Sequence, residues 1–275
     1  LPERMRANLQ ALLLRGRITE KDLEASLGRV TAASSLEAMC ADRQMIVEAV
    51  SEEMALKRRV FAAMEAHVSS QTILATNTSA LSITEIARGL RHPERVVGTH
   101  FWNPPHIIPC VEVIRGAETS DAVFDGTVRL LERVGKVPVK VLKDVPGFIG
   151  NRMQHALWRE AIALVEEGIA SAEDVDKVVK NAFGLRLAFL GPLETADLAG
   201  LELTRTIQRD LLPHLAAAAA PAALLEEKIA AGETGAVCGL GFHRWPAARL
   251  KATAEKRDRI LLDVLDLLGS QINKG

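Results

Sequence analysis

Apolar residues open the chain with helical spacing: Met5, Leu9, Leu12 and Leu13 fall on one face of the stretch Pro2 to Gly16, with Arg and Glu on the other. From Met45 the pattern changes to short apolar runs separated by amphipathic stretches. MIVEAV reads as a strand, Met54 to His67 as a helix, TILAT as a strand and SITEIARGL as a helix whose Ser82 and Glu85 have capping-box spacing. RVVGTHFW, VEVIRG and VPVKVL extend the strand series, with a helix from about Ser120 to Val134. Strands alternating with helices predict a parallel sheet. After Asp144 the strand signals stop. Helices are predicted over about Gly147 to Glu167, Ser171 to Phe183, Leu193 to Leu215, Ala222 to Ala231 and Ala247 to Leu268. Gly168 marks a helix stop, Ser171 with Asp174 a helix start, and the alanine-rich Ala216 to Ala223 a connection. The expected fold class is therefore an α/β domain over residues 1–144 followed by an all-α domain over 145–275.

Length and composition agree with two unequal domains, since 275 residues suffice to bury a large core. The net charge of -1 supplies no field to recruit nucleic acid or an anionic membrane. Aromatics make up 4% and Tyr is absent, which removes most of the stacking surface that single-stranded nucleic acid needs. Cys40, Cys110 and Cys238 form no CxxC pair, so neither a metal site nor a redox motif is expected, and a reduced cytoplasmic setting is. The longest apolar stretch, around Leu211 to Leu225, is broken by Pro213, His214 and Pro221 and is too interrupted to span a bilayer.

In a parallel sheet, reactive groups collect in loops at the carboxyl ends of the strands, where a crevice opens. Three polar segments fall at such ends: Asn77-Thr78-Ser79 after TILAT, His100-Phe101-Trp102-Asn103-Pro104 after RVVGT, and Asn151 after the turn Pro146-Gly147. Oxidising an alcohol by hydride transfer requires a base that takes the hydroxyl proton, and histidine, with an unperturbed pKa of about 6.5, meets that need. A carboxylate on the far ring nitrogen fixes the tautomer and stabilises the imidazolium, and Glu112 is the candidate. Ser79 and Asn151 are candidates for hydrogen-bonding the substrate oxygens. Each residue also has a plain structural reading: His100 as a packing residue, Glu112 on the solvated face of an edge strand, Ser79 as a strand terminator and Asn151 as a helix cap. His106, His155, His214 and His243 are read as structural residues, since no carboxylate in the sequence matches them as a catalytic pair.

Five runs decide between these readings. IVEAVSEEMALKRRVF, ILATNTSALSITEIA, RHPERVVGTHFWNPP, VEVIRGAETS and DVPGFIGNR closely resemble the 3-hydroxyacyl-CoA dehydrogenase family in order and spacing. The resemblance reaches from the opening helix to GFHRW near Trp245. It implies a Rossmann-type NAD-binding domain followed by a helical substrate and dimerisation domain. It further implies a homodimer through that second domain, and oxidation of a 3-hydroxyacyl-CoA to the 3-oxoacyl-CoA in fatty acid metabolism. Carried onto this chain, it makes His100 the catalytic base, Glu112 its partner, Ser79 the substrate-binding serine and Asn151 an active-site asparagine. It also implies that Glu52, Lys57, Ser79 and Asn103 contact NAD.

The sequence departs from the family in three places. The glycine-rich GxGxxG turn and the acidic residue that follows it are absent, the one G-x-G being Gly239-Leu240-Gly241 near the other end. The chain is therefore expected to start after the second strand of the nucleotide domain, to bind NAD poorly on its own and to expose a sheet flank. A catalytically silent structural relative is the alternative of another class. HFWNPPHIIPCVE also resembles branches of the family that act on small hydroxy acids, or on an aldehyde of a carboxylated pyridine, and this keeps a substrate without CoA as an alternative. Finally, His243 and Val237 stand where the family usually has Tyr and often has Lys.

Overall fold

A computed structural model of the chain describes residues 2–272. It divides them into two units, one ending at Asn151 and one beginning at Arg152. The first opens with helices α1 (Pro2–Leu13), α2 (Glu20–Gly28) and α3 (Leu36–Cys40). Neither α2 nor α3 was apparent from periodicity, yet both carry local start signals. Thr19 and Asp22 form a reciprocal capping box on α2, and the Ser35 hydroxyl accepts the Ala38 amide of α3.

Strand β1 (Met45–Glu48), helix α4 (Met54–Glu65), β2 (Ile73–Thr76), helix α5 (Ile83–Ala87) and β3 (Val96–Phe101) follow. Then come β4 (Cys110–Ile114), α6 (Asp121–Arg133) and β5 (Val137–Val141). The strands form one five-stranded sheet in chain order. Every neighbouring pair is parallel, as the alternation predicts, except β3 with β4, which is antiparallel. The reason is the connection. A parallel pair needs a crossover of a dozen or more residues, usually a helix, whereas residues 102–109 join β3 directly to β4.

Alternation along β3 sends its residues to two cores. Val96 joins Leu74, Ile83, Ile86, Phe61 and Ile114 under α4 and α5, while Val97 joins Val111, Val113, Phe124 and Leu131 under α6. Gly98 permits the first packing, because a Cβ there would stand 2.7 Å from Ile83 Cδ1 and 2.9 Å from Ile114 Cβ. One row of partners, Glu48, Thr76, Gly98, Ile114 and Val141, crosses the whole sheet. His100 lies beyond that row on β3, opposite Glu112.

Helix α7 (Gly150–Glu166) starts in the first unit and leads into the second, which is helical as expected. Its further helices are α8 (Ala172–Asn181), α9 (Phe183–Arg186), α10 (Pro192–Ala199), α11 (Leu201–Leu211), α12 (Ala223–Ala230) and α13 (Ala247–Ile272). The single helix expected over Leu193 to Leu215 is interrupted at Gly200, whose φ of 91° suits glycine and ends α10. Among the described residues of this unit, only Gly241 and Leu262 are buried. His243, expected to lack a partner, lies 3.3 Å from Asp176 and 3.6 Å from Glu173, both on α8.

Candidate active site

The pairing of β3 with β4 sets His100 directly against Glu112, with both side chains buried. His100 Nδ1 lies 2.8 Å from Glu112 Oε2. An ionised carboxylate can only accept, so Nδ1 carries the proton and the lone pair is left on Nε2. The solvated edge-strand reading of Glu112 is thereby overturned: β4 is paired on both sides, and Glu112 is 2% exposed.

The other carboxylate oxygen, Oε1, accepts the amides of Ile149 and Gly150, each at 2.9 Å. These are amides at the start of α7, a position that favours negative charge. Burial pushes the Glu112 carboxyl up, but the bond to His100 and the Gly150 and Ile149 amides outweigh it and hold the group below the usual carboxylate range.

Two rings enclose the imidazole. Trp102 stands 5.0 Å away between centroids and Phe148 5.9 Å, both tilted. Phe148 is buried with a φ of 52°, a left-handed conformation that costs a bulky residue about 1–2 kcal/mol. Gly150 makes room for Trp102, since a Cβ there would meet the indole Cζ2 at 2.1 Å. Phe148 does not stand out in the sequence. Its Pro-Gly-Phe context marks a turn but does not say which ring faces His100.

Two loops at this end of the sheet are stitched to the strands and to each other. Asn77 Oδ1 accepts the Phe101 amide at 2.9 Å, next to His100. Ser79 is exposed on the same turn, and its carbonyl accepts a bond from Asn151 Nδ2 at 2.9 Å, so the Asn151 side chain reaches back to that turn. Asp144 Oδ2 accepts the Ser82 hydroxyl at 2.6 Å and the Thr84 amide at 2.8 Å. The turns around residues 79 and 148 are thus held together at two points. Ser82 also accepts the Glu85 amide, as its spacing predicted.

Of the residues expected at the cofactor, Glu52 and Asn103 are exposed beside these loops. Glu52 Oε1 accepts the Thr78 hydroxyl and the Ser79 and Ala80 amides at 2.6, 2.9 and 3.1 Å. Lys57 differs: it is buried, and its ammonium bonds Glu48 at 2.9 Å and the Val50 carbonyl at 3.2 Å. Exposed hydroxyl, amide and carboxylate groups fit the polar nicotinamide and ribose end of a dinucleotide. The glycine turn that would cradle its pyrophosphate has no counterpart among the 275 residues. Among the described residues no cluster of three or more His, Cys, Asp and Glu is placed to hold a metal, and no helix is long and apolar enough to cross a membrane.

A mostly parallel sheet with a carboxylate-paired histidine at a strand end, followed by a helical unit, defines a dehydrogenase-type architecture. Residues 1–145 match the family model described as 3-hydroxyacyl-CoA dehydrogenase, NAD binding domain, and residues 147–245 the model for the C-terminal domain of the same family. The chain belongs to the 3-hydroxyacyl-CoA dehydrogenase family, whose members are NAD-dependent oxidoreductases. It is 37% identical over 243 residues to a probable 3-hydroxybutyryl-CoA dehydrogenase of Bacillus subtilis, covering 88% of this chain and 83% of that protein. It is 34% identical over 244 residues to 5-formyl-3-hydroxy-2-methylpyridine 4-carboxylate 5-dehydrogenase of Mesorhizobium japonicum, covering 89% and 79%. A crystal structure of a dehydrogenase of that name, described as an NAD+ dependent dismutase, superposes with a TM-score of 0.85 at 34% identity, over 88% of this chain and 78% of that one. A (S)-3-hydroxybutyryl-CoA dehydrogenase from Ralstonia eutropha superposes with a TM-score of 0.70 at 31% identity, over 87% and 83%.

Because the folded Glu112 pKa is depressed, the stability it contributes is present above the unfolded value, about 4.3, and is lost as pH falls through the folded one. Urea unfolding of wild type and Glu112→Gln between pH 7 and pH 3 is expected to show a gap in stability that narrows on acidification. A gap independent of pH would contradict the assignment.

Proposed function

We propose that this chain oxidises a 3-hydroxyacyl-CoA to the 3-oxoacyl-CoA, with His100 as the base and Glu112 as its partner. The observation that carries the reading is the 2.8 Å contact between His100 Nδ1 and Glu112, which leaves Nε2 free to take a proton. When bound, NAD supplies the hydride acceptor. Nε2 takes the proton from the hydroxyl oxygen as hydride leaves the carbon that bears it, and the imidazolium formed is stabilised by Glu112. In the reverse direction Nε2 returns the proton to the oxygen. The Ser79 hydroxyl and the Asn151 amide hydrogen-bond the reacting oxygen, and their turns are stitched to each other and to the histidine's strand. Glu52 and Asn103 face the cofactor, with Lys57 supporting Glu52 from behind at 3.4 Å.

A second reading keeps this chemistry on a small carboxylated ring substrate without CoA. It is favoured by the TM-score of 0.85 to the pyridine-carboxylate dehydrogenase, against 0.70 for the 3-hydroxybutyryl-CoA enzyme. The two readings share His100 and differ in what the loops admit.

The chain supplied with NADH and either acetoacetyl-CoA or carboxylated pyridine aldehydes and small oxo acids, followed by absorbance, tests both. Slow turnover of the CoA ester at high NADH is expected, since these 275 residues hold no glycine turn for the pyrophosphate, with a loss of about 10²–10⁴-fold in kcat for His100→Gln and an unchanged circular dichroism spectrum. Turnover confined to free acids would transfer the reading to the second substrate class. Near-normal kcat in His100→Gln would remove the base.

The helical unit serves as the substrate and dimerisation domain in this reading, and a second copy of the chain is its partner. The support is its unfinished core: α7 to α12 bury no residue, and Leu193 and Phe189 are 80% and 67% exposed. Apolar exposure on this scale marks a surface that a partner covers. Sedimentation equilibrium is expected to give twice the 29.8 kDa chain mass, shifting toward monomer in Leu193→Glu/Phe189→Glu. A wild-type monomer at micromolar concentration would exclude the homodimer.

A further inference from the structure

Glu48 and Lys57 form a buried ion pair whose ends reach toward the Ser79 turn. Lys57 is 1% exposed and Glu48 4%. The Lys57 ammonium lies 2.9 and 3.2 Å from the two Glu48 oxygens. Replacing such a pair by apolar groups of the same volume is often neutral for stability, because removing two charges from water offsets their attraction. Stability alone therefore does not account for it.

What distinguishes the pair is the backbone it holds. Glu48 Oε1 accepts the Val50 amide at 2.6 Å, and Lys57 donates to the Val50 carbonyl at 3.2 Å, so both polar groups of Val50 are clamped. Val50 lies in the segment between β1 and α4 that carries Glu52. The same ammonium stands 3.4 Å from Glu52 Oε2, while Glu52 Oε1 takes the Thr78 hydroxyl and the Ser79 and Ala80 amides. A second route runs through β2: the Thr76 hydroxyl donates to Glu48 Oε2 at 2.7 Å and accepts the Thr78 amide at 3.3 Å. Both routes end at the turn that presents Ser79.

We propose that Glu48 is a positioning residue, which with Lys57 fixes the 49–53 segment and through Glu52 and Thr76 holds the Ser79 turn in its working shape. The inference rests on the reading that Ser79 and Glu52 face the reactants, and it extends that reading to a carboxylate that touches neither. It also changes what Lys57 does, since its ammonium is taken up inside the protein and acts on the cofactor side through Glu52.

Amide hydrogen exchange read by NMR tests this without reference to turnover, so its failure is separable from failure of the substrate reading. In Glu48→Gln, the Ser79 and Ala80 amides are expected to exchange at least about threefold faster than in wild type. The Ile149 and Gly150 amides, bonded to Glu112, are expected to keep their wild-type rates. Since a lone buried cation could prevent folding, the double variant Glu48→Gln/Lys57→Met carries the decision. It is expected to recover the wild-type melting temperature and yet retain the fast exchange at Ser79 and Ala80. Wild-type rates at those amides in the folded double variant would reduce Glu48 to a core ion pair and overturn the proposal. Failure of both variants to fold would overturn it too, by making the pair a requirement of the fold.

Discussion

The site depends on one buried carboxylate being shared. Glu112 bonds His100 with one oxygen and the first amides of α7 with the other. An unpaired carboxylate buried to this degree is costly, whereas three donors make the charge tolerable and hold its geometry. The orientation of the histidine ring and the position of the turn that opens α7 are therefore not independent. The same turn carries Phe148 against the imidazole and Asn151 against the Ser79 turn, so a single electrostatic requirement organises most of the groups around His100.

The sheet makes that sharing possible through its one antiparallel pair. Had β4 run parallel to its neighbour, a crossover helix would have separated the His100 segment from the Glu112 segment; the direct connection instead places them face to face. Gly98, on the same face of β3 as His100, lets Ile83 pack closely on the strand, and the loop before α5 is then within reach of Asp144. Packing beneath the site and hydrogen bonding above it thus constrain the same two loops.

Much of this was legible in the sequence, though not all for the same reason. Strands β1 to β5 showed as short β-branched runs, and the Ser82 and Ser171 caps showed as spacing, because both signals are local. His100, Glu112, Ser79 and Asn151 stood out once five motifs agreed with one family. The antiparallel step was not legible from alternation, since direction depends on connection length and not on residue pattern. The roles of Phe148, Glu48 and Thr76 were not legible either, because they arise from contacts across the sheet. Lys57 shows the limit most clearly: a motif identifies the position, and burial beside Glu48 shows that its charge is spent inside the protein. The unfinished core of the helical unit is another such case, since amphipathic helices look alike in sequence whether they pack within one chain or against a second.

Nitrogen-15 NMR of the imidazole in the folded chain reads out whether Glu112 holds His100 with its proton on Nδ1 and its lone pair on Nε2. The neutral form of the ring is expected to carry its proton on Nδ1, with a downfield proton hydrogen-bonded to the carboxylate. A neutral ring protonated at Nε2 would contradict it.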